Sequence, residues 1–109
     1  MPIDVHITYH QMERSPGLDE AIRGELLELE QIFDGITRCR VVVDQPHKSH
    51  RQGNHFRVQV DLHVPGAEIV VDRDPAEHAS HEDPYLAVSE AFSATRRKLE
   101  KHEGRRRAS

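Results

Sequence analysis

From Ile3 to His10 apolar and polar residues take turns. Ile3, Val5, Ile7 and Tyr9 fall on one side, and Asp4, His6, Thr8 and His10 on the other. A period of two is that of a strand with one buried face. Leu18, Ile22, Leu26, Leu29 and Phe33 then recur at steps of three and four, the stripe of an amphipathic helix. Ser15 caps its start with Pro16 at the first helical position, Asp19 and Glu20 favour the positive end of its dipole, and Asp34-Gly35 stops it. Thr37 to Asp44 alternates again, with Cys39, Val41 and Val43 opposite Arg38, Arg40, Val42 and Asp44. A third alternation puts Phe56, Val58, Val60, Leu62 and Val64 inward and His55, Arg57, Gln59, Asp61 and His63 outward. Pro65-Gly66 turns it into AEIVVDR, which predicts a hairpin. Residues 72–82 read as polar loop. Asp83-Pro84 repeats the cap-and-proline start, and Tyr85, Val88, Phe92, Thr95 and Leu99 mark the buried face of a second helix.

The predicted order is β-α-β-β-β-α. Each strand has one apolar face, so the sheet is covered on one side only. The expected fold is α+β: a two-layer sandwich, a four-stranded sheet with two helices on one face. The other face meets water or a partner. Residues 1–103 form this single domain and residues 104–109 a basic C-terminal tail.

Composition narrows the class. The chain has 109 residues, enough for one domain with a modest core. No apolar run approaches a membrane span, and the N-terminus lacks the layout of a secretory signal, so a cytoplasmic protein with no membrane partner is expected. One cysteine forms no internal disulfide. Net charge is −4, yet residues 95–109 hold seven Arg or Lys against two Glu. Such asymmetry points to an anionic partner.

Chemistry has few places to reside. Nine histidines invite a metal hypothesis. His47 and His50, with His55 nearby, and the pair His78 and His81 have ligand-like spacing, but they sit in loops without cysteine partners. Polar loop residues are the plainer explanation, and a histidine-loop metal module remains the alternative through His47, His50 and His55. Cys39 points into the core, where a thiol behaves as a small hydrophobe. No serine elbow or phosphate-cradling glycine loop is present. No catalysis, cofactor or small-molecule substrate is expected. The cations are better organised. On the last helix Arg97 and Lys101 lie opposite the buried stripe, Arg96 and Lys98 flank its edges, and the ridge runs on into Arg105, Arg106 and Arg107. A weaker basic group comprises Lys48 and Arg51 in the loop PHKSHRQGN, with Arg38, Arg40 and Arg57 on the open sheet face. A polyanion held by these side chains and a protein docked on the open sheet are both compatible with the pattern.

The segment HEDPYLAVSEAFSATRRKLEKH joins an acidic pair, a tyrosine opening a helix, an amphipathic run and a basic ending. With the opening IDVHITYHQMERSPGLDEAI and the step FDGITRCRVVV, it resembles the ribosome hibernation-promoting factor and ribosome-associated inhibitor family over residues 3 to 103. The resemblance implies a short, single-domain form that binds small-subunit rRNA in the mRNA–tRNA channel and blocks translation by occlusion. It also implies that Arg96, Arg97, Lys98 and Lys101 occupy RNA-facing positions. The oligomeric state is left open, with a monomer as the working expectation. The first helix departs from the family's pattern: RGELLELEQ offers Arg23 against Glu25, Glu28 and Glu30.

Overall fold

The computed structural model describes residues 3–45, 56–73 and 83–108, with residues 73 and 106–108 as backbone only. Its elements run β1 (Asp4–His10), α1 (Pro16–Ile32), β2 (Arg38–Asp44), β3 (Arg57–Val64), β4 (Ala67–Arg73) and α2 (Pro84–Ala108). The four strands lie side by side in sequence order. β1 and β2 are parallel, a pairing that needs a crossover, and α1 supplies it. β2, β3 and β4 are antiparallel neighbours. The sandwich expected from the alternation is therefore the one observed.

Local chemistry sets the helix boundaries. The Ser15 hydroxyl accepts from the Leu18 N–H at 3.2 Å, and Pro16 stands at the first helical position. Asp83 caps α2 in the same way, its Oδ1 accepting from the N–H groups of Tyr85 at 2.9 Å and Leu86 at 3.4 Å. α1 ends at Ile32, and Gly35 follows at φ +90°, a conformation L side chains rarely adopt. Gly66 at φ +80° gives the Pro65-Gly66 corner its second residue.

One apolar layer fills the space between helices and sheet. Leu18, Ile22, Leu26 and Leu29 of α1 and Val88, Phe92 and Leu99 of α2 meet Val41, Val43, Val58, Val60 and Leu62. Thr95 is fully buried in this layer, and its hydroxyl donates to the Ala91 carbonyl at 2.8 Å. Two details differ from the sequence expectation. Tyr85, placed on the buried face of the second helix, is half exposed; it lies over Gly17, where a Cβ would collide with its hydroxyl. The small residues Ala87, Ala91 and Ala94 take the buried positions instead, because they let α2 approach the sheet closely. The last strand takes in the whole of AEIVVDR, so Asp72 and Arg73, which the sequence also assigned to the following loop, belong to β4.

α2 is longer than the sheet beneath it. Among the described residues Leu99 is its last fully buried side chain, His102 and Glu103 are half-buried, and nine further residues carry the helix on to Ala108. At 1.5 Å per residue the overhang is about 13 Å. The molecule is accordingly elongated, 50 × 26 × 18 Å. Positions 104–108, set apart in the sequence as a basic tail, are helical in continuation of α2.

Candidate nucleic-acid interface

The ridge foreseen on the last helix divides into engaged and free cations. Arg96 turns toward α1, its Nε 3.2 Å from Glu100 Oε1, beside a groove that Glu25, Glu28 and Ile32 also line. Lys98 turns the other way and donates to the Val70 carbonyl at 2.7 Å. β4 is an edge strand, so this ammonium covers a backbone acceptor that would otherwise lie open. Arg97, Lys101 and Arg105 are exposed at steps of four residues and make no hydrogen bond or ion pair among the described residues. They form a solvent-facing row that runs from the sandwich onto the overhang. Arg105, in the last turn, is also favoured by the helix dipole. The side chains of Arg106 and Arg107 lie outside the described residues, as do Lys48, Arg51, His47, His50 and His55.

The open sheet face is different. Strand register brings Asp4, Arg38, His63 and Glu68 into one cross-strand row, and His6, Arg40, Asp61 and Val70 into the next. Arg57 makes a two-pronged ion pair with Asp72, Nε to Oδ1 at 2.8 Å and Nη2 to Oδ2 at 2.5 Å. Those hydrogen bonds hold Asp72 below the usual carboxylate range. The Arg38 Nε is buried without a hydrogen bond. Among the described residues this face carries three arginines against Asp4, Asp44, Asp61, Glu68 and Asp72. Its carboxylates outnumber its guanidiniums, so among the described basic positions only the helical row is a run of unpaired cations.

Three further groups bear on chemistry. Cys39 is fully buried and its thiol is pushed up to about 12, mainly by burial and secondarily by Asp61, so it is no nucleophile at neutral pH. Tyr9 donates to the Ser15 carbonyl at 3.0 Å and ties β1 to the start of α1; burial and Asp19 raise its pKa. At the hairpin end of the open face, His63 Nε2 lies 3.0 Å from Glu68 Oε2 and 3.5 Å from Asp61 Oδ1. The sequence reading turned Asp61 and His63 outward without joining them to Glu68. The signal was present in the hairpin: with Pro65-Gly66 at the corner, His63 and Glu68 must face each other.

The family model described as "Sigma 54 modulation protein / S30EA ribosomal protein" matches residues 5–107. The chain belongs to that family. A curated S30EA relative, the ribosome hibernation promoting factor of Azotobacter vinelandii, is 29% identical over 100 residues, spanning 92% of this chain and 82% of the relative. The same fold occurs in a ribosomal subunit interface protein from Coxiella burnetii, with a TM-score of 0.74, 17% identity, and coverage of 94% of this chain and 99% of that one. It occurs again in the N-terminal domain of Thermus thermophilus Protein Y, with a TM-score of 0.71, 16% identity and coverage of 92% and 99%. S30EA family proteins of this kind are ribosome-associated factors and not enzymes. No helix among the described residues is long and apolar enough to cross a membrane.

Proposed function

We propose that this chain is a ribosome hibernation factor that binds small-subunit rRNA in the mRNA–tRNA channel and blocks translation by occlusion. The observation that carries the proposal is the free row Arg97, Lys101 and Arg105 on the projecting end of α2, in a chain whose family membership spans residues 5–107. Folded RNA is met largely through phosphates, 2′-hydroxyls and shape, so guanidinium and ammonium groups on a rigid rod suffice. Arg106 and Arg107 extend the same basic segment. Arg96 and Lys98 act beside it, Arg96 giving up its pairing with Glu100 on contact. The acid-rich faces of α1 and of the open sheet turn away from the phosphates. A soluble, cytoplasmic, monomeric protein meets these requirements.

The test is co-sedimentation of the untagged protein with ribosomes on sucrose gradients at low salt. The double variant Arg97→Glu, Lys101→Glu reverses two exposed charges without touching the core, so its thermal melt should match the parent's. Its ribosome-bound fraction should fall by roughly tenfold or more, since two phosphate contacts become repulsions. Unchanged sedimentation of the variant would refute the assignment of the row.

A further inference from the structure

The β3–β4 hairpin gathers one imidazole and two carboxylates that the ribosomal reading leaves unused. Register places His63 of β3 directly across from Glu68 of β4, and Asp61 lies two residues earlier on the same face. One donor atom from each, His63 Nε2, Asp61 Oδ1 and Glu68 Oε2, fall within 4.8 Å of one another. Donors at about 2.0–2.2 Å from a common zinc ion stand roughly 3.0–3.6 Å apart. The two distances from His63, 3.0 Å to Glu68 and 3.5 Å to Asp61, already lie in that range. Only the gap between the carboxylates has to close, and the Glu68 side chain is half exposed and free to swing.

A second observation points the same way. Asp61 Oδ1 is shut off from solvent and accepts no hydrogen bond. A water-excluded carboxylate oxygen without a donor is an unfavourable state that a directly bound cation relieves. The neighbouring strand opposes this: Arg38 stands across from His63 and Arg40 across from Asp61, and both repel a cation. Their charge sets a modest affinity. Neither guanidinium donates a hydrogen bond to Asp61 Oδ1, whose near neighbour is His63 Nε2 at 3.5 Å.

We propose that Asp61, His63 and Glu68 form a site for a divalent transition-metal ion of the zinc class. One imidazole with two carboxylates suits this borderline class, whereas calcium and magnesium favour all-oxygen shells. His63 enters as neutral imidazole through Nε2, giving up the contact to Glu68 that it makes in the metal-free state. The remaining coordination positions face solvent on the open sheet. This inference does not depend on ribosome binding.

The test is titration of the untagged full chain with Zn²⁺, followed by calorimetry and native mass spectrometry, with the thermal midpoint as a second readout. One equivalent should bind and raise the midpoint. His63→Ala should abolish that equivalent, and Asp61→Asn and Glu68→Gln should each weaken it roughly tenfold or more. The double variant His47→Ala, His50→Ala should bind as the parent does. Glu68 is half exposed, so Glu68→Gln carries the test if His63→Ala does not fold. Two results overturn the proposal: no binding at all, or binding left unchanged by His63→Ala or by Glu68→Gln.

Discussion

Glu25 sits at the rim of the groove between the helices, where burial and, to a lesser degree, neighbouring Glu28 raise its pKa above the ordinary 4.5. The folded protein therefore keeps this proton at pH values where the unfolded chain has released it. Its contribution is fully present below about pH 4.5 and is lost as pH rises through the folded value. Glu25→Gln should accordingly raise the urea midpoint at pH 7 and change it much less at pH 4. Equal gains at both values would contradict the raised pKa. Cys39 obeys the same physics with a clearer sequence signal, since its alternation with Val41 and Val43 already placed it inward. Tyr85 did not. Its periodic position indicated burial, but the bulk of the ring and the approach to Gly17 leave it on the rim, and alanines fill the contact. Periodicity assigns a direction around the helix axis; packing distance decides which side chains fit there.

At the scale of the element, α2 bears most of the free cations, and beyond Leu99 its support thins to half-buried His102 and Glu103 and a groove that Glu103 and Gly104 share with Ile32, Phe33 and Asp34. Gly104 lies in this overhang, and a Cβ there would meet nothing within 4 Å. Glycine in a helix interior costs about 1 kcal/mol relative to alanine. Gly104→Ala should therefore strengthen the overhang, seen as greater helical ellipticity with no loss of thermal midpoint. A decrease in ellipticity would mean that the glycine is needed for the path of the chain. The sequence set 104–109 apart as a basic tail on the strength of the run EGRRRAS. The helix nevertheless continues, since straight-chain Arg and Glu are good helix formers and the dipole favours cations at this end. Loss of the apolar stripe marks where full burial stops among the described residues, which here comes before the helix ends.

For the whole molecule, the consequence of charge placement is a salt dependence. If the basic end of α2 engages about five phosphates, the log–log plot of ribosome affinity against salt should slope at roughly −3.5 to −4.5. The variant with Arg97 and Lys101 reversed should give a shallower slope. A parent slope near zero would exclude phosphate contact as the source of affinity. Among the described residues the carboxylates of α1 and of the open sheet lie apart from the row Arg97, Lys101 and Arg105, which sharpens this polarity.

The sequence by itself determined the element order, the two caps, the hairpin and the one-sided core. Each of these is written in local periodicity or in neighbouring residues, and short-range sterics and hydrogen bonding are enough to fix it. Tertiary structure decided much of which cations are free, with one pairing, Arg96 with Glu100, set locally along the helix. Arg96 is paired with a residue one turn away, Lys98 reaches a carbonyl on β4, and Arg57 is neutralised across the sheet, while Arg97, Lys101 and Arg105 remain open to solvent. The same holds for the meeting of Asp61, His63 and Glu68. Charge is a property of the residue, but its availability depends on what the fold sets within a few ångströms of it.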